Sequence, residues 1–85
     1  MSRQHHYIKI LPQHYRAIEN GDKRFEVRFN DRNYQIHDIL HLQEYLNGEY
    51  TGREIYATVS YILDDENFCK EGFVIMSLKD LVINN

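Results

Sequence analysis

The chain contains one stretch with a helical period, and most of the remainder follows a two-residue period. Residues 5–11, "HHYIKIL", are rich in β-branched and aromatic side chains, which predicts a first strand. Pro12 suits the first position of a helix, and Tyr15 and Ile18 lie three residues apart on one helical face. Gly21 suits the C-terminal cap. The pattern therefore predicts one helix of two to three turns.

A second strand follows the helix. Phe25, Val27 and Phe29 alternate with polar residues and fall on one face of this strand. Glu26 and Arg28 fall on the other face. Since apolar faces are usually buried, we expect Phe25 and Val27 in the core. We then expect Glu26 and Arg28 on the solvent side.

Three further strands complete the predicted order. The remaining elements are a turn-rich connection (30–38), a third strand (38–45), a hairpin turn at Asn47-Gly48, a long alternating strand (54–63), an acidic loop (64–72) and an apolar closing strand (73–78). Their apolar positions add Ile55, Val59 and Ile75 to the predicted core. Residues 1–85 are expected to form a single domain of the α+β class, mainly β: a small curled sheet or barrel of about five or six strands with one main short helix.

Composition narrows the class of protein. The chain is 42% hydrophobic and 27% charged, as is typical of a globular domain. No apolar run reaches membrane-spanning length, and the first residues lack the apolar stretch of a signal peptide. Cys69 is the single cysteine and lies in an acidic segment, so we interpret it as an unreactive thiol. We therefore expect a cytoplasmic protein with no membrane partner.

Charge is distributed unevenly along the chain. The net charge is −3, which argues against a general nucleic-acid binder. Residues 1–36 nevertheless hold seven basic and four acidic side chains, a net of +3. Residues 37–85 hold three basic and nine acidic side chains, a net of −6. One face of the protein is therefore able to attract an anion, provided that the fold keeps the two halves apart.

Several segments in a fixed order resemble a known family. "IKIL", a short helix closing in glycine and "GDKRFEVR" resemble the G-x-K-x-x-E-x-R signature of ASCH domains, which belong to the PUA-like superfamily. The continuation "NDRNYQIHDILHLQEYLNGEYTGREI" is similar to DUF3850, a group of small uncharacterised bacterial and phage proteins. The resemblance spans about residues 5–78.

This resemblance implies a PUA-like β-barrel with a cleft beside the helix and the second strand. ASCH relatives are thought to bind RNA or to act on nucleotide-derived ligands. Gly21 would form the turn, and Lys23, Glu26 and Arg28 would line the cleft. Some small ASCH proteins resemble amidohydrolases of acylated cytidines, which carry a Lys and a Thr three residues later. Lys23 matches that Lys, but Glu26 occupies the Thr position. Ligand binding is therefore the leading hypothesis, and a hydrolase function is the alternative.

The residue types themselves support a site for an anionic ligand. Arg28 offers a planar fork for phosphate and Lys23 a point charge, while Glu26 either orders these cations or accepts a hydrogen bond from a base. The competing interpretation is an exposed ion-pair network of little consequence. The candidate ligand-binding residues are Lys9, Lys23, Glu26, Arg28, Arg32, Tyr45 and Arg53, and the candidate catalytic residues are Lys23 and Glu26.

Other classes of function receive less support. His5 and His6 are adjacent, so a strand would direct them to opposite faces, and the sequence has no metal-binding motif. We therefore expect no metal and no cofactor. The acid-rich loop 64–71 motivates a further alternative, a phage or host module that contacts protein. RNA or a nucleotide-like ligand remains the expected partner, and the oligomeric state is left open.

Overall fold

The computed structural model describes residues 3–85 as five strands and one helix. The elements are β1 (His5–Ile10), α1 (Pro12–Glu19), β2 (Phe25–Phe29), β3 (Ile39–Leu46), β4 (Glu49–Leu63) and β5 (Phe73–Asn84). The strands form one sheet in the order β1-β3-β4-β5-β2, which curls as a half-barrel. β1 is parallel to β3, and the other pairs are antiparallel. The predicted mainly-β class with one short helix is confirmed.

The helix ends where the sequence predicts. Pro12 occupies the first turn, where its missing N–H removes no helical hydrogen bond. Gly21 has a φ of 84°, a left-handed conformation that terminates helices and favours glycine. Tyr15 and Ile18 are fully buried, so α1 packs its apolar face into the concave side of the sheet. The short helix is therefore stabilised by tertiary packing.

The core lies on the concave side of the curled sheet. Ile55 and Val59 are fully buried, which confirms two of the predicted core positions. Tyr34, in the connection between β2 and β3, is also buried, although its turn-rich surroundings gave no such indication. The other core residues are Ile8, Ile10, Tyr15, Ile18, Leu40, Leu42, Ala57, Val74, Met76 and Leu78.

The predicted orientation of β2 is wrong. Phe25 and Val27 are 45% and 46% exposed, whereas Glu26 is 4% exposed and faces the concave side. Alternation defines two faces of a strand but does not say which face is inside. On the outward face of the sheet, the ring of Phe29 in β2 contacts the ring of Phe73 in the neighbouring β5 edge to face. Glu26 and Arg28 therefore point towards the interior of the half-barrel.

Strands β4 and β5 depart from simple alternation. Their pairing shifts register after Tyr56 and again after Val59, so Thr58 is buried and Tyr61 is exposed. β5 extends to Asn84, beyond the predicted end at residue 78, and Ile75 is half-buried outside the core cluster. Within residues 3–85, no helix is both long and apolar enough to cross a membrane.

Candidate functional site

A cleft of about 490 Å³ lies between β2 and the β1–α1 connection. It occurs here because β1 and β2 are the two edges of the half-barrel and the helix follows directly from β1. The structure brings four of the predicted ligand-binding residues to its walls: Lys9, Lys23, Glu26 and Arg28. Residues from the C-terminal end of β1, the start of α1 and β2 thus line one cleft.

The buried Glu26 lines this cleft, and its carboxylate pairs with two of the cleft cations. Arg28 Nε donates a hydrogen bond of 2.5 Å to Glu26 Oε2, and Lys23 Nζ lies 3.7 Å from Oε1. A buried carboxylate is costly unless it is paired, and two cations fulfil that requirement here. Glu26 therefore fixes the positions of Lys23 and Arg28 at the cleft.

Two arginines connect β2 to the free edge of β1. Arg28 Nη2 donates a hydrogen bond of 2.5 Å to the Lys9 carbonyl oxygen, and Arg32 Nη1 donates one of 2.8 Å to the Tyr7 carbonyl oxygen. In β1, the carbonyls of alternate residues accept hydrogen bonds from β3, beginning with that of Gln4. The carbonyls of Tyr7 and Lys9 belong to the other set and face away from β3. Arg32 thus lies beside the cleft rather than in it. Because Arg28 Nε and Nη2 already donate to protein acceptors, the exposed Lys9 is the most available of the three cations.

Aromatic rings accompany both lysines. Lys9 Nζ lies 4.4 Å from the centre of the Tyr45 ring and 5.9 Å from that of Tyr50. Lys23 Nζ lies 5.4 Å from the centre of the Phe25 ring. Tyr45 therefore reaches the site through Lys9, while Phe25 lines the cleft directly. These contacts leave a positive charge next to an aromatic face, an arrangement that suits a stacked base carrying a phosphate.

Arg53 belongs to a different cluster. Its Nη2 lies 3.1 Å from both carboxylate oxygens of Glu19, and its Nη1 lies 3.7 Å from Glu44 Oε2. A hydrogen bond from Asn85, together with one from Arg53, holds the pKa of the Glu19 carboxyl below its usual value. Two carboxylates thus neutralise Arg53, and the structure does not bring it to the cleft.

His14 is a cleft residue that the sequence analysis missed. It lies in the first turns of α1 and its side chain lines the cavity opposite β2. The available signal was its position two residues after Pro12, close to the end of β1. His14 adds an imidazole donor or acceptor to a lining that otherwise consists of three cations, the Glu26 carboxylate and apolar groups.

A second buried carboxylate, Asp38, is held differently. Asp38 Oδ1 accepts from the Gln4 backbone N–H at 3.2 Å, and Oδ2 accepts from the Gln35 backbone N–H at 3.0 Å. His6 Nε2 lies 2.8 Å from Oδ2. Desolvation raises the pKa of the Asp38 carboxyl, but these hydrogen bonds outweigh it and the pKa lies below its usual value. Asp38 therefore fastens the start of β1 to the start of β3.

Two further features concern metal binding and the single cysteine. Residues 3–85 contain no group of three or more His, Cys, Asp or Glu side chains placed to hold a metal ion. Cys69 is a buried free cysteine whose Sγ donates to the Leu63 carbonyl at 3.4 Å. Cys69 lies in the loop that joins β4 to β5, and its hydrogen bond connects this loop to the end of β4.

Comparison with known proteins identifies the family. The profile of a domain of unknown function, DUF3850, matches residues 5–78. The chain is similar to an uncharacterized 12.9 kDa protein in the GpA 3′ region of Escherichia phage P2, with 36% identity over 59 residues, or 69% of this chain. The chain spans 54% of the length of that relative. Because the family match covers nearly all of the chain, the protein belongs to the DUF3850 family.

Proposed function

We propose that the basic cleft binds a nucleotide, either free or as a unit of single-stranded RNA. One observation carries the proposal: Lys9 and Lys23 stand at a cleft whose third cation, Arg28, is already fixed by the buried carboxylate of Glu26. Three positive charges face one negative charge, so the cleft attracts an anion. Lysine ammonium groups serve phosphate as point charges and need no bidentate geometry.

The aromatic surfaces around the cleft support the same ligand class. Phe25 is half-exposed at the cleft wall, and Tyr45 and Tyr50 flank Lys9 on the other side. Stacking on an aromatic ring contributes about 1–3 kcal/mol per base and tolerates any base. A ligand that combines a phosphate with a flat ring therefore matches the cleft better than a simple inorganic anion does.

The resemblance to ASCH domains gives additional support. In the G-x-K-x-x-E-x-R signature, the charged positions correspond to Lys23, Glu26 and Arg28, the same three side chains that form the ion-paired group in the cleft. We propose that the protein is a PUA-like domain of the ASCH type. Its expected partner is then RNA or a nucleotide-like ligand.

An NMR titration tests the proposal directly. The probes are the four ribonucleoside 5′-monophosphates and a mixed-sequence single-stranded RNA hexamer. We expect saturable shifts of backbone amides around Lys9, Lys23 and Phe25 with at least one probe. A larger effect of the hexamer would identify RNA, and a larger effect of one monophosphate would identify a free nucleotide. Shifts that are absent, or that lie only outside the cleft, would contradict the proposal.

The alternative amidohydrolase function rests on one specific observation. Lys23 Nζ and Glu26 Oε1 are 3.7 Å apart inside the cleft, which provides an ammonium and a carboxylate for proton transfer to a bound amide. Incubation with acylated cytidines should then release product at a rate that Lys23→Ala abolishes. Absence of turnover would remove this alternative.

A protein-contact function of the acidic loop 64–71 stays a prediction.

A further inference from the structure

A second cavity, of about 370 Å³, opens on the opposite face of the sheet from the core. Alternate residues of β1 are buried, so His5 and Tyr7 lie on the outer face that carries this cavity. His5, Tyr56, Asp80 and Val82 are among its lining residues. Among the described residues, this cavity and the basic cleft have no lining residue in common. The cavity is therefore a separate candidate site.

Three titratable side chains form a hydrogen-bonded series that ends at this cavity. Glu54 Oε1 lies 3.1 Å from His41 Nδ1. His41 Nε2 lies 2.8 Å from His5 Nδ1. Glu54 and His41 are partly or fully buried, whereas His5 is exposed at the cavity. The series thus runs from the half-buried carboxylate to a surface imidazole.

The carboxylate determines where each proton lies. An ionised carboxylate only accepts hydrogen bonds, so His41 Nδ1 donates to Glu54. A neutral imidazole has a single N–H, and His41 Nε2 must therefore accept from His5 Nδ1. His5 then has no proton on Nε2. Within residues 3–85, no protein group forms a hydrogen bond with His5 Nε2, so its lone pair is free to accept from a ligand.

The surroundings hold this acceptor in place. His41 stacks on Tyr7 with ring centres 4.2 Å apart, and Tyr56 lies 4.7 Å away at a tilt. A rotation of His41 would break contacts with both rings, which fixes the orientation of the imidazole that His5 bonds. Such rigidity lowers the entropy that a ligand loses on binding. His41 is a positioning residue in this arrangement, and His5 is the group that meets the ligand.

We infer that the outer cavity binds a small planar heterocycle that carries N–H donors, such as an aminopurine or aminopyrimidine ring. His5 Nε2 and the Asp80 carboxylate supply acceptors for the N–H groups, and Arg3 supplies a donor for a ring nitrogen. Tyr56 and Val82 supply flat and apolar wall. The volume lies in the range of small-molecule sites. The inference does not rest on the function proposed for the basic cleft.

Nitrogen-15 NMR of the histidine side chains at about pH 8.5, where imidazoles are ordinarily neutral, tests the proton assignment. We expect both His5 and His41 to carry the proton on Nδ1. Glu54→Lys replaces the acceptor with a donor and should move both protons to Nε2, while Glu49→Lys at an exposed site of the same strand should move neither. A proton on Nε2 of His5 in the unmodified protein overturns the inference, whether or not the variants fold.

Ligand binding is tested with two purines that differ in donors. Adenine has N–H groups, whereas 6-dimethylamino-9-methylpurine has none. Adenine should give saturable shifts at His5 and Tyr56, and His5→Ala should weaken its binding by about fivefold to tenfold, as expected for loss of one hydrogen bond. Arg16→Gln, on the exposed side of α1 and outside both cavities, should leave adenine binding at His5 unchanged. Equal shifts from both purines, or no shift at millimolar adenine, would overturn the inference.

Discussion

Glu26 and Asp38 are both almost fully buried, at 4% and 3% exposure, yet they are satisfied by different donors. Asp38 accepts from two backbone N–H groups and contacts His6, so the fold itself fixes its partners. Glu26 is satisfied by the side chains of Lys23 and Arg28 at an open cleft. A backbone donor cannot turn towards a ligand, whereas a lysine ammonium has three donors and a flexible stem. This difference makes the carboxylate of Glu26, rather than that of Asp38, the candidate for a binding site.

The largest effect on stability should come from Asp38→Ala. The change leaves the N–H groups of Gln4 and Gln35 and the ring of His6 without their acceptor. Each unsatisfied buried group costs about 1–3 kcal/mol, so we expect the free energy of unfolding to fall by about 3 kcal/mol. Urea denaturation measures this, with Asp64→Ala in the exposed loop as control. A loss below about 0.5 kcal/mol would show that Asp38 does not fasten the strands.

Arg28→Ala should have the next largest effect. Arg28 pairs with the buried carboxylate of Glu26 and also bonds the Lys9 carbonyl, so its removal leaves both acceptors without their donor. We expect a loss of about 1–3 kcal/mol in the free energy of unfolding. Arg16→Ala, on the exposed side of α1, should change it by less than about 0.5 kcal/mol. Equal stabilities of the two variants would mean that the Glu26–Arg28 pair contributes nothing.

Acid should remove the stabilisation that the ionised Asp38 carboxylate provides. The folded-state pKa of Asp38 lies below its ordinary value of 3.8, so the stabilisation is present above about pH 4 and is lost as the pH falls through the folded pKa. Asp38→Asn cannot ionise and should show a shallower loss of stability below pH 4 than the unmodified protein does. Unfolding curves between pH 2 and pH 6 provide the measurement. Parallel pH profiles of the two proteins would contradict this account of Asp38.

The sequence predicted the elements well because local signals specify them. Pro12 and Gly21 delimit the helix, and Asn47-Gly48 forms a two-residue hairpin in which both residues have positive φ. Four charged residues line one cleft because β1, α1 and β2 follow one another with short connections: Lys9, Lys23, Glu26 and Arg28. These features depend on neighbours in the sequence.

Long-range packing explains what the sequence did not predict. The inward orientation of Glu26 depends on the pairing of β2 with β5 and on the Lys9 carbonyl that holds Arg28, and alternation carries no information about them. Arg53 meets Glu19 and Glu44 because the start of β4 lies next to the end of α1 and the end of β3. The burial of Asp38 likewise requires residues from β1 and the preceding connection.

Lys23→Gln should have the smallest effect on stability and the largest on binding. Its ammonium makes one long ion pair of 3.7 Å with Glu26, whose other oxygen remains bonded to Arg28. We therefore expect the free energy of unfolding to change by less than about 1 kcal/mol. If Lys23 proves as important for stability as Arg28, then its ammonium is structural, and the distinction between the two buried carboxylates weakens.

The dissociation constant of the single-stranded RNA hexamer at low salt tests the central claim most directly. It is measured by fluorescence anisotropy for the unmodified protein, Lys23→Gln and Lys79→Gln, which removes the same charge from an exposed position of β5 outside the cleft. We predict that Lys23→Gln binds about fivefold or more weakly, consistent with the loss of one charge-assisted contact, while Lys79→Gln stays within about twofold. Equal affinities of the two variants would show that Lys23, beside Glu26, does not contribute to a binding site.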